Sequence, residues 1–257
     1  MERKYELTEE TLFFEGVTLF RIRALKDFSD IKKGDEGGFV QSTDNLSQDG
    51  TCWIYENGKV LDSAHVEKSA TIHNRAVISG CALISDYAMV FGEARVLDNS
   101  KIIGQAQIHD RARITDEAKI GGKAKVLDDA WVGDRAEIYG DAHIQDKAKI
   151  YDDAWIGDQA VVRGWAKVHE RAWIRDRAEI HGHADIYGEA MIDDSAEIFG
   201  HACIYGSAWV HGQAKIYGKV KVYGDAEINN NARAHGNAWI YGDAIITKST
   251  QVRGDVH

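Results

Sequence analysis

The sequence predicts an all-β fold, a triangular parallel β-helix preceded by a short β-rich segment. Three observations predict it. Residues 52–255 divide into 34 consecutive hexads with no insertion or deletion, with Ile or Val at the third position in 33 and Ala at the first in 29. The fifth position is Gly, Asp or Asn in 30 of the 34. Proline is absent from all 257 residues.

Strand geometry accounts for each. Ala and Ile/Val lie two residues apart, and strand side chains alternate faces, so both point inward while the residues flanking Ile/Val point outward. Gly, Asp and Asn tolerate bent or left-handed backbone. Each hexad is therefore a short strand followed by a bend. A helix cannot use this spacing, because a period of six drifts against a 3.6-residue turn. Three bends close a coil of 18 residues, with Ile/Val filling the prism and Ala at its crowded corners. Stacked at about 4.8 Å, the hexads make about eleven coils, roughly 54 Å in length. Proline would delete ladder donors between coils.

Residues 1–51 lack the hexad. Leu12 to Ile22 reads as a hairpin around Gly16, and Lys33 to Gly38 as a turn-rich loop. A solenoid needs its first edge covered, so this segment is expected to be an N-terminal β cap, with 52–257 as the repeat domain. No helix follows the last hexad, so end-to-end contact through an uncapped C-terminal coil, or a frayed last coil, is expected.

Composition excludes several function classes. A net charge of −10 argues against a protein that neutralises phosphates, so no nucleic-acid partner is expected. No run of 18 apolar residues exists, so no membrane span is expected. The N-terminus lacks an apolar signal core. Cys52, Cys81 and Cys203 are too few and scattered for a disulfide framework, which fits a reducing cytoplasm.

The hexads resemble the hexapeptide-repeat proteins, in which an aliphatic residue is followed four positions later by a small one, as in Ile138-Tyr139-Gly140-Asp141-Ala142. That resemblance implies a left-handed parallel β-helix and a homotrimer of parallel prisms. Ile22 to Phe28, Gly37-Gly38-Phe39-Val40, Asn45-Leu46-Ser47 and Cys52-Trp53-Ile54-Tyr55 look like the leader of a bacterial and phage-borne group labelled as transferases or polymer-forming proteins. One departure is that Tyr, His or Phe often follows the aliphatic residue where many members have Gly.

Acyltransferases of the class use a histidine as general base and clamp coenzyme A between subunits, commonly beside an inserted loop. This chain has eleven histidines and no insertion among its hexads. His73, His109, His181 and His235 share one outward column; His109 and His181 are the candidate bases. His183 and His201 stack one coil apart and are candidate metal ligands, although no metal is expected. No glycine-rich phosphate cradle opens a helix.

The outer columns carry aromatics. One holds Tyr151, His169, Tyr187, Tyr205, Tyr223 and Tyr241; another holds Trp155, Trp173, Met191 and Trp209. Stacked aromatics brace neighbouring coils, and exposed aromatic columns mark interfaces or ligand platforms. The leading expectation is a non-enzymatic oligomeric scaffold or binding protein without a cofactor, using these columns and inter-subunit grooves. An acyltransferase using acetyl-CoA is the second, and a phage-type protein sequestering a small ligand is the third.

Overall fold

In the computed structural model, residues 3–256 are described, and the contacts divide the chain into two units, Met1–Asp128 and Asp129–His257. His257 lies outside the described residues. Both units are all-β, and the repeat in each is a parallel β-solenoid. Among the described residues no helix is long and apolar enough to cross a membrane.

The first unit opens with β1 (Tyr5–Phe14) and β2 (Val17–Ala24), paired antiparallel around Glu15 and Gly16, whose φ values of 47° and 88° form the turn. Then β3 (Glu36–Val40) pairs antiparallel with β2 on one side and parallel with the strand Lys59–Val60 on the other. That strand converts the antiparallel hairpin into the parallel ladder. Lys4 is buried beside it, donating from Nζ to the Cys52 carbonyl at 3.0 Å and to Cys52 Sγ at 3.1 Å.

Within the first unit, hexads from Trp53 onward contribute two-residue strands paired with strands 18 residues away, as in Arg95↔Arg113 and Val96↔Ile114. In the second unit three parallel faces repeat this rule. The first runs from Trp131–Val132 to Trp239–Ile240, the second from Glu137–Ile138 to Ile245–Ile246, and the third from His143–Ile144 to Gln251–Val252.

The Ala and Ile/Val positions of the coils form the core. Ala172, Ile174, Ala190, Ile192, Ala208 and Val210 are all fully buried. Burying each large aliphatic side chain contributes about 1.5–3 kcal/mol. Backbone ladders satisfy the amides between coils, as in Trp173 N–H to the Ala190 carbonyl at 2.9 Å.

The bends are left-handed. Asp158, Asp176 and Asp194 have φ of 55°, 58° and 56°. Glu56, Lys68, Glu170 and Lys248, the hexad exceptions at this position, take the same conformation, so the coil imposes it even on residues that do not favour it. The Asp preference has a second cause. Asp176 Oδ2 accepts the Asp194 N–H at 3.4 Å, and Asp194 Oδ2 accepts the Gly212 N–H at 2.9 Å. Each bend carboxylate thus fastens the next bend.

Candidate functional site

The first face of the second unit carries the tyrosine column as a continuous stack. Ring centroids from Tyr151 through His169, Tyr187, Tyr205 and Tyr223 to Tyr241 are separated by 4.7, 5.1, 5.0, 4.9 and 5.3 Å. The rings lie nearly parallel and cover one another's faces. Burial raises the phenol pKa of Tyr151, Tyr187 and Tyr205. The third face stacks His181, Phe199, Tyr217 and His235 in the same way. In the first unit, His73 stacks on Tyr55 and His109 on Phe91, and His109 Nδ1 lies 2.8 Å from Asp110 Oδ2. His183 and His201 stack at 4.8 Å, with Trp165 continuing the stack beyond His183.

A second contact rule runs diagonally. The residue after the core Ile/Val reaches the residue before it one coil on, an offset of 16. His169 meets Asp185 at 3.1 Å, His181 meets Glu197 at 3.2 Å, and His211 meets Glu227 at 3.0 Å, each through Nε2. A diagonal histidine–carboxylate pair of this kind therefore stands on each face of the second unit. Glu197 also accepts from Lys215, and these bonds, Lys215 first, hold its carboxyl below the usual range. A depressed folded pKa contributes stability above the unfolded value of about 4.3 and loses it as pH falls through the folded one. Thermal scans should therefore show Tm falling more steeply below about pH 4.3 in the parent protein than in Lys215→Met. Equal slopes would remove the pair from the acid response.

The second face differs from the others, because its two outward columns interlock. Trp155, Trp173, Met191, Trp209 and Glu227 are paired in register along one. Gly157, Arg175, Asp193, His211 and Asn229 form the other. Trp155 lies across Gly157, where a Cβ would come within 2.2 Å of the indole. Glycine there lets the ring lie flat against the backbone. Trp155 and Trp173 are tilted by 39° at 5.6 Å, and Trp173 is 48% exposed.

Asp193 sits at the centre of this face and is only 3% exposed. Its Oδ2 accepts from Arg175 Nη2 at 2.7 Å, Arg175 Nε at 3.1 Å and Trp209 Nε1 at 3.1 Å. Its Oδ1 is buried with no hydrogen-bond partner. The Trp209 indole stacks on the His211 imidazole at 3.9 Å. Glu227 Oε1 accepts from His211 Nε2 and from Asn229 Nδ2, and these bonds, His211 first, hold its carboxyl below the usual range. An ionised carboxylate only accepts, so Nε2 carries a hydrogen, and in the neutral imidazole the lone pair is then on Nδ1. Nδ1 lies 3.7 Å from Asp194 Oδ2.

Grooves run along both edges of this face. One of about 540 Å³ is lined by Asp141, Gln159, Asp176, Arg177, Asp194 and Ser195. The other, of about 390 Å³, is lined by Arg171, Trp173, Glu189, Met191 and Ser207. An acidic edge, a charged and aromatic centre and an apolar edge are thus brought within one face. Among the described residues, Asp193, Asp194 and His211 are the group whose ligand atoms converge as a metal site requires.

The structure brings Trp155, Trp173 and Trp209 together here, and keeps Tyr151, Tyr187, Tyr205, Tyr223 and Tyr241 on another face. His181 is on the third face, His109 in the first unit, and His183 and His201 at a corner. Sequence reasoning passed over Arg175, Asp193 and His211. Their spacing of 18 was readable, but their column mixes charges and does not look like a repeat.

No protein-family profile matches the chain. A curated protein of Escherichia coli (strain K12), described as "Uncharacterized acetyltransferase YdcK", is 33% identical over 87 residues, covering 30% of this chain and 27% of that protein. The chain thus matches little more than a quarter of that relative's length. That local likeness and the parallel β-solenoid together fit a hexapeptide-repeat, transferase-like family.

Proposed function

We propose that the chain transfers an acyl group from an acyl-coenzyme A thioester to a hydroxyl or amine, on the second face of the second unit. The observation that carries this reading is the His211 imidazole, fixed by Glu227 on Nε2 and by Trp209 on its face, with Nδ1 directed toward the edge where Asp194 and Ser195 line a groove. General-base catalysis needs such an oriented lone pair within hydrogen-bond reach of the nucleophile. The relative's acetyltransferase description supports the same class of reaction.

In this reading the thioester lies across Trp173 and Met191, with Arg171 at the groove edge facing the donor's phosphates. His211 Nδ1 takes the proton of the acceptor as its oxygen or nitrogen bonds to the thioester carbonyl carbon. The carbon–sulfur bond then breaks, the imidazolium returns the proton to the departing thiolate, and coenzyme A leaves as the thiol. Glu227 and Asp194 stabilise the transient imidazolium. A homotrimer, implied by the hexapeptide-repeat resemblance, would cover the face and exclude water.

The test is release of coenzyme A thiol from acetyl-coenzyme A in the presence of a panel of sugar, amino-acid and amine acceptors. Acceptor-dependent release supports the reading; release no faster than in buffer with every acceptor class contradicts it.

A further inference from the structure

The orphaned oxygen of Asp193 is not used by acyl transfer, and it points to a different ligand. We propose that Asp193, Asp194 and His211 form a binding site for a divalent transition-metal cation of the Zn²⁺ type. One ligand atom from each residue lies within 4.8 Å of the other two, a spacing that a single ion can bridge. Asp193 Oδ2 is already saturated by Arg175 and Trp209, so Oδ1 is the oxygen with unused lone pairs. A buried carboxylate oxygen without a donor is unfavourable, and a cation bridged to Asp194 and His211 relieves it.

The surroundings fit a cation. His211 Nε2 donates to Glu227, the carboxylate–histidine arrangement that orients an imidazole toward a metal through its other nitrogen. Gly212 N–H holds Asp194 Oδ2, and Trp209 Nε1 holds Asp193. Three carboxylates, Asp193, Asp194 and Glu227, surround the site and one guanidinium, Arg175, pairs with Asp193, which leaves two negative charges in excess beside the imidazole. The preceding bend carboxylate, Asp176, stands 3.8 Å from Arg175 Nε and adds to the negative field. A divalent ion neutralises the excess. One nitrogen with carboxylate oxygens favours Zn²⁺ over Mg²⁺ or Ca²⁺, which take all-oxygen shells. Asp194 is exposed at the edge of the larger groove and gives the ion a route in.

The inference stands whether or not the chain transfers acyl groups. If it does, the cation takes the same Nδ1 lone pair as the acceptor's proton, and Zn²⁺ inhibits turnover.

Isothermal titration of the full-length, metal-free chain with Zn²⁺ alone tests it, with circular dichroism reporting the fold of each variant. The expected result is one Zn²⁺ per chain, with affinity reduced about tenfold or more in His211→Gln and in Asp194→Asn. Asn keeps the left-handed bend and an acceptor for Gly212, so the second variant guards against misfolding. His183→Gln, in the separate histidine stack, should bind like the parent. Absence of binding, equal affinity in the parent and both site variants, or loss in His183→Gln alone overturns the proposal.

Discussion

Replacing His211 with glutamine is expected to lower acyl transfer about 10²–10⁴-fold, the range general-base catalysis contributes. Glutamine is close in reach and polar, so the Trp209 ring keeps a neighbour and the buried ladders are untouched. The loss should therefore fall on kcat, with little change in KM for the acyl donor, because the donor groove is lined by Arg171, Trp173, Glu189, Met191 and Ser207 rather than by His211. His181→Gln removes an equivalent histidine–carboxylate pair on another face and should leave turnover unchanged. Comparable losses in both variants would mean that these pairs serve the fold, not the reaction.

The largest expected effect on stability is at the glycine bends. Gly200 has φ of +74°, and a Cβ there would sit 2.9 Å from the nitrogen and 3.1 Å from the oxygen of Gly218 in the next coil. Any Cβ there needs the bend to adjust, and a β-branched residue adds its own strong aversion to left-handed backbone and a second γ-branch against the next coil. Gly200→Val should cost a few kcal/mol and lower Tm by about 3–5 °C for each kcal/mol if the second unit melts as one domain. Gly200→Asp should cost far less, because Asp occupies this position in neighbouring columns with φ near 55–60° and can accept the next bend's N–H. Equal melting of the two variants would show that the bend geometry is not limiting.

The architecture was legible because one physical constraint repeats 34 times. Ile174 and Ala172 announce an interior, and Asp176 announces a bend, without any neighbour being known. The tyrosine stack was legible for the same reason, since Tyr187 and Tyr205 are alike and one coil apart. The bend-to-bend hydrogen bonds of Asp176 and Asp194 were not, because turn chemistry alone already explained aspartate there. The second-face cluster was hidden for a different reason. Arg175, Asp193 and His211 are unlike one another, and their partners Trp209 and Glu227 lie on an offset of 16, not 18. Reading columns finds ladders; only the diagonal between two columns shows that Trp209 serves Asp193 and that Glu227 serves His211. That diagonal, which orients His211, favours acyl transfer over the scaffold that the unbroken repeat suggests.

The most direct measurement of the central claim is ¹⁹F NMR of the chain labelled with 5-fluorotryptophan, titrated with acetyl-coenzyme A. Seven tryptophans supply reporters, Trp53 in the first unit and the other six in the second. Occupation of the second face should shift Trp155, Trp173 and Trp209 and leave Trp53, Trp165 and Trp239 in place. An unchanged spectrum at saturating ligand, or shifts confined to Trp165 and Trp239, would contradict an acyl-donor site on this face.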